Sequence, residues 1–171
     1  VIPMNDTMWE YAMMGLTELC TTQHAGLRAL LSMCGVRKNQ NITSTFLAYS
    51  VVPKLNAAGR MGHPETGVKL LLMVSDDSAN YTKSLLAANE LKFLNSDRKI
   101  IENQICEEAE LLAVEYLKKH PSSLVLYKAG WHSGVLGIVA ARMAEKFYRP
   151  TLVLTDEQGL IKVDSQLRTK V

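Results

Sequence analysis

Residues 130–140 read GWHSGVLGIVA, and their neighbours decide what they are. Before them, residues 123–129 (SLVLYKA) form a short apolar run, which predicts a strand. From Gly134 to Phe147 the apolar residues recur at helical spacing. RPTLVLTD at 149–156 predicts a second strand, and GLIKV at 159–163 a third. Strand, helix and strand joined by short links predict a parallel βαβ unit. The fold class is therefore α/β in this part of the chain.

Ser133 is the expected N-cap of the helix that begins near Gly134. The first N–H groups of a helix have no partner within it, and the helix dipole places positive potential behind them. That entrance suits a phosphate. His132 stands at its mouth as a donor to a phosphate oxygen. Trp131 either offers a flat face on which a base can stack or fills the core. Gly134, Gly137, Ala141 and Ala144 form a face of small residues, which admits a ligand closely or packs tightly on a sheet.

Upstream the texture is helical. Asn5 or Asp6 caps a helix to about Leu19, with Met4, Met8, Met13 and Met14 expected as core fillers. A second helix covers about His24 to Met33, with Gly35 as its C-terminal cap. Thr43 or Ser44 caps a third, which reaches about Ser50. Residues 51–72, VVPKLNAAGRMGHPETGVKLLL, begin as a loop punctuated by Pro53, Gly59, Gly62 and Pro64. Pro64 opens the next helix, which runs to about Val74 with Glu65 beside its positive end. Asp76 or Asp77 caps a very long helix from about Ser78 to Lys119, stopped by His120 and Pro121. Its expected seam is Ala87, Leu91, Leu94, Arg98, Ile101, Ile105, Ala109, Leu112 and Tyr116. Arg98 interrupts that apolar row, so it needs a ligand or a carboxylate such as Glu102. In NAAGR, residues 56–60, the planar fork of Arg60 suits a phosphate or a carboxylate such as Glu65.

The 171 residues carry a net charge of +2, so no global basic field announces a nucleic acid. Binding would rest on local arginines and lysines. Cys20, Cys34 and Cys106 lie far apart, which argues for reduced thiols of a cytoplasmic protein over a disulfide framework or zinc site. His24, His63, His120 and His132 are isolated, and no nucleotide-binding glycine loop or nucleophile elbow is present. No run is long enough to span a membrane. The chain begins at Val1, its residues VIPM read like the tail of a strand, and it closes on SQLRTKV without an element to end it. We therefore expect a piece of a longer protein, with an exposed sheet edge that invites self-association.

Three segments in order are more specific than any alone: P-x-L-N-A-A-G-R-M-G at 53–62, L-N-x-x-R-K at 94–99, and G-W-H-x-G-V-x-G-I-V-A at 130–140. Together they resemble the RecJ family of single-strand-specific DNA exonucleases, within the DHH phosphoesterases. The resemblance implies a helical tail of a DHH domain (1–75), a long connecting helix (76–120) and a partial DHH-associated α/β domain (121–171). It implies 5′-to-3′ hydrolysis of single-stranded DNA in repair and recombination, with repair or recombination proteins as further partners. It implies Mn2+ or Mg2+, held by ligands outside this chain, and so no catalytic or metal-binding residue within it and no activity of this portion alone. The strand-binding residues it implies are Asn56, Arg60, Arg98, Trp131, His132, Ser133 and Gly134. At the start, Val1, Ile2 and Pro3 resemble the end of the family's Asp-Val-Val-Pro motif; at the other end IKVDSQLRTKV departs from its Gly-Ser-x-Arg-Ser segment. A non-catalytic binding or scaffold module, and a DHH phosphoesterase acting on short oligonucleotides or cyclic dinucleotides, are the alternatives. The second expects a Gly-Gly-Gly-His segment where this chain has GWHSG.

Overall fold

Backbone and side chains come from a computed structural model, in which residues 5–37, 40–75 and 77–167 are described. The elements are α1 (Asp6–Thr21), α2 (Ala25–Met33), α3 (Ser44–Phe46), α4 (Val52–Arg60), α5 (Pro64–Leu72), α6 (Ser78–Lys119), β1 (Leu124–Tyr127), α7 (Leu136–Phe147), β2 (Thr151–Glu157) and β3 (Leu160–Gln166). Two compact units result, Val1–Asn95 and Ser96–Val171, and the boundary falls inside α6. The expectations for Met4, for Asp76 and for the first residues lie outside the described residues.

In the first unit, Asn5 caps α1 by accepting the N–H of Met8. No residue of α1 is buried, and Met13 and Met14 are exposed. The expected core role of these methionines is therefore wrong, because their helix presents no fully covered face. The core instead gathers Ala29, Leu30 and Leu31 of α2 with Ile42, Val51, Ala58, Leu70, Ala88 and Leu91. His24 is the N-cap of α2: its Nδ1 accepts from the N–H of Leu27 at 3.3 Å, and its Nε2 lies 3.1 Å from the carbonyl oxygen of Leu71. Gly35, at φ 87°, follows the end of α2 as expected.

The predicted loop at 51–63 is a second correction. A π turn at Leu47–Val51 carries α3 directly into α4. Pro53 is compatible because it sits in the first turn, where its missing N–H leaves no bond unmade. Ala57 and Ala58 are buried, so packing stabilises a helix that its glycine and proline argued against. Only Gly62, at φ 83°, and its neighbours turn the chain before α5.

In the second unit, β1 pairs parallel to β2 with Leu124 opposite Thr151, as the βαβ reading requires. β3 then returns antiparallel through Gln158 and Gly159, both at positive φ, the signature of a tight hairpin turn. Leu124, Leu126 and Val153 of the sheet meet Val135, Leu136, Val139 and Met143 in one core.

The seam of α6 differs from its expected form. Its buried residues are Ser84, Ala88, Leu91 and Asn95 in the first unit, and Glu102, Ile105, Cys106, Ala109 and Ala113 in the second. Leu112 is 40% exposed, and Ala113 is buried beside it. Three polar residues lie on the true seam, and a search by hydrophobicity passes over all three. Asp77 caps the helix by accepting from the N–H of Asn80 at 2.8 Å.

Two glycines make opposite predictions. A Cβ on Gly26 would stand 1.9 Å from the backbone oxygen of Leu70, whereas one on Gly67 would meet ordinary contacts at 3.9 Å. Gly26→Ala should therefore destabilise the chain by about 1–3 kcal/mol. Gly67→Ala should leave it unchanged or stabilise it by roughly 0.5–1 kcal/mol. Urea unfolding midpoints would distinguish the two; a lower midpoint for Gly67→Ala would contradict the packing described for α5.

Candidate nucleic-acid interface

The expected site residues fall in both units. Asn56 and Arg60 lie one helical turn apart on α4 and are both exposed, while Ala57 and Ala58 of the same helix are buried. Arg98, Trp131, His132, Ser133 and Gly134 belong to the second unit, where they form two groups along α6.

The first group is an ion cluster. Arg98 Nη1 donates to Glu102 Oε2, and Arg142 Nη2 of α7 lies 2.5 Å from Glu102 Oε1. Glu102 is 2% exposed. Arg142 also donates to Asn103 Oδ1 at 3.2 Å and reaches the Cys106 sulfur at 3.7 Å. Arg98 is thus engaged by the carboxylate that the sequence offered as its alternative. Burial pushes the Cys106 thiol up, against the opposing pull of Arg142, so it remains a protonated thiol.

The second group is the GWHS loop. A short 3-10 turn, Ser133–Val135, precedes α7, and His132 is its N-cap. The His132 Nδ1 accepts the N–H of Gly134 at 3.1 Å, and the His132 carbonyl accepts that of Val135 at 3.2 Å. Ser133 is therefore inside the turn, and the expected cap is corrected by one residue. The correction has a chemical consequence. Those two N–H groups already have acceptors, so the entrance is not the bare row of backbone donors expected. The neutral ring that accepts at Nδ1 carries its proton at Nε2, which leaves that edge as a donor.

Trp131 settles the other alternative. It is 5% exposed within the core of Ile105, Ala109 and Val135, so a base cannot stack on its ring face. Its indole Nε1 donates to Glu108 Oε2 at 2.7 Å, which satisfies the polar edge of a buried aromatic. Lys128 Nζ lies 3.0 Å from the same oxygen. These two donors, Trp131 first, hold the Glu108 carboxyl below the usual carboxylate range. Gly130, at φ 81°, donates its N–H to Asp156 Oδ1 at 3.3 Å. A cavity of about 480 Å³ opens here, lined by Ile101, Gln104, Glu108, Lys128, Gly130 and His132 among others. The small-residue face is covered in part: a Cβ on Gly137 would meet Asp164 Oδ2 of β3 at 2.3 Å, while Ala141 is exposed.

Glu108, Lys128, Asp156 and Arg142 were not found from the sequence. They sit in no motif, and only the fold brings them to the loop or to Glu102. Among the described residues, no three His, Cys, Asp or Glu side chains converge to hold a metal ion. No helix among them is long and apolar enough to cross a membrane.

Two outcomes test this geometry. Glu102→Ala leaves Arg98 and Arg142 without their shared carboxylate and should cost roughly 3 kcal/mol in the second unit. Arg142→Ala, at a half-exposed partner, should cost less; equal urea midpoints for Glu102→Ala and the parent chain would refute the cluster's role. The contribution of Glu108 to stability should be complete above the ordinary carboxylate pKa of about 4.3 and be lost as pH falls through its lower folded value. The Trp131 indole N–H resonance should accordingly hold its position on acidification until below that ordinary value.

Known proteins resemble the chain in both sequence and fold, although no protein-family model matches it. It is 34% identical over 164 residues to the single-stranded-DNA-specific exonuclease RecJ of Bacillus subtilis (strain 168), covering 95% of this chain and 20% of that protein. To the RecJ of Escherichia coli (strain K12) it is 37% identical over 130 residues, 74% of this chain and 22% of that protein. A crystal structure of RecJ in complex with Mn2+ from Thermus thermophilus matches with a TM-score of 0.67 at 28% identity, covering 82% of this chain and 20% of that one. Its Mg2+ complex matches with the same TM-score over 89% of this chain and 22% of that one. The chain spans about a fifth of the length of the curated relatives named here. Three ordered motifs, the long helix running into a small sheet, and these matches in sequence and fold agree: the chain matches a part of the RecJ exonucleases.

Proposed function

We propose that this chain is the strand-holding portion of a single-strand-specific DNA exonuclease that hydrolyses phosphodiester bonds from the 5′ end, in the service of repair and recombination in the bacterial cytoplasm. The observation that carries the proposal is the His132 cap. It fixes the ring with a proton at Nε2, beside a cavity whose lining also includes Gln104, Glu108 and Lys128. A fixed N–H donor suits a phosphodiester backbone, which offers oxygen acceptors at every step. Arg60, with Asn56 on the same exposed side of α4, is the proposed second contact, and its fork suits a phosphate. Ser133 and Gly134 shape the turn that carries His132. Trp131 and Arg98 act in this proposal by holding the fold, not by touching the strand.

Cleavage in this proposal belongs to Mn2+ or Mg2+ bound by residues outside this chain, as the metal-bound RecJ structures suggest. Such ions activate water and steady the leaving oxygen. The three-part organisation (1–75, 76–120 and 121–171) is likewise proposed, with α6 as the connector.

Fluorescence anisotropy of a labelled single-stranded oligonucleotide tests the strand-holding role. The chain should bind it, and His132→Ala and Arg60→Ala should each weaken binding by about tenfold, about 1.4 kcal/mol. For Arg60→Ala the salt slope should also shrink by about 0.7, one phosphate on a single strand. Affinities equal to that of the parent chain for both variants would remove the site from the interface.

A further inference from the structure

We infer that Glu108 is a positioning residue, the group that sets His132 for strand contact by fixing the loop in front of it. The inference rests on the strand-holding role proposed for His132 and adds a residue that no motif contains.

The loop between β1 and the turn at Ser133 runs through Lys128, Ala129, Gly130, Trp131 and His132. One carboxylate oxygen, Glu108 Oε2, receives the Trp131 indole N–H at 2.7 Å and faces the Lys128 ammonium at 3.0 Å. It therefore grips the loop at both ends. Between those grips, Gly130 is tied to Asp156 Oδ1. Thr155 Oγ1 donates to the Lys128 carbonyl at 3.0 Å, so the backbone at that end is fixed as well. His132 follows Trp131 directly and spends its Nδ1 on Gly134. A buried ring whose only N–H is held by a helix carboxylate leaves the next residue little freedom. Among the described residues lining this cavity, Lys128 is the other charged group and His132 the other titratable one, and Asp156 is met through Gly130.

Two consequences separate positioning from contact. Glu108 is an anion and would repel a phosphate, so its removal should strengthen binding if only its charge mattered. If instead it acts through His132, its removal should weaken binding, and only where His132 is present. An amide at this position can still accept the indole N–H, so Glu108→Gln should rescue.

The test uses single variants, one double variant and two readouts. Glu108→Ala should weaken oligonucleotide affinity by about tenfold and shift both the Trp131 indole and the His132 ring resonances, and Glu108→Gln should stay within about twofold of the parent. In a His132→Ala background, Glu108→Ala should change affinity less than about twofold, the non-additivity expected of a residue that acts through another. If Glu108→Ala loses its native spectrum, Trp131→Phe, which removes only the N–H and keeps an aromatic ring in the core, carries the same expectations. Unshifted His132 resonances in Glu108→Ala, or an equal loss in the His132→Ala background, would overturn the inference. A parent chain with no affinity for the oligonucleotide would defeat the strand-holding proposal instead, and the ring resonances would still decide whether Glu108 sets His132.

Discussion

Glu102 is the constraint around which the second unit is arranged. A carboxylate this deeply buried is stable only if its charge is met, and here two guanidinium groups meet it, one from its own helix and one from α7. The pair from its own helix is a local i,i+4 contact. The one from α7 is not, and it pins that helix at a fixed height along α6. Lys146 to Glu110 at 2.7 Å repeats the tie one turn pair further on, at the surface where it contributes less. With α7 so placed, the sheet packs behind it, and the turn that starts α7 is presented beside α6.

That placement explains why the GWHS loop needs so little of its own structure. Trp131 inserts between α6 and the start of α7 among Ile105, Ala109 and Val135, where its burial alone contributes about 1.5–3 kcal/mol. A buried indole must spend its N–H, and Glu108 accepts it. Gly130 supplies the left-handed backbone that lets the chain turn from β1 into that insertion. The loop's rigidity thus comes from side chains of α6 and β2, and its sequence records only the glycine, the ring and the histidine.

Much of the architecture is legible in local sequence. The βαβ unit, the long helix from Ser78 to Lys119 and the cap at Asn5 follow from periodicity and capping chemistry, which are local. What escapes such a reading does so for non-local reasons. α4 is hidden because Pro53 and Gly59 are read as breakers, while the burial of Ala57 and Ala58 that holds the helix depends on partners far along the chain. The expected seam of α6 runs through Leu112, where Ala113 is the buried residue, and hydrophobicity cannot see that Ser84, Asn95 and Glu102 are buried as well. The loop's histidine stands out by its motif. Its partner Glu108 is one of several glutamates in a helix that reads EEAELLAVE, and nothing in that pattern singles it out.

The loop also changes what kind of anion site the motif makes. A helix entrance with free N–H groups attracts phosphate through fixed backbone dipoles and discriminates little between anions. Here the side chain of His132 has taken one of those N–H groups and its carbonyl another. The donor that remains is an imidazole edge whose tautomer is set by the cap itself. In the strand-holding role proposed above, that oriented N–H is what a phosphate oxygen would meet.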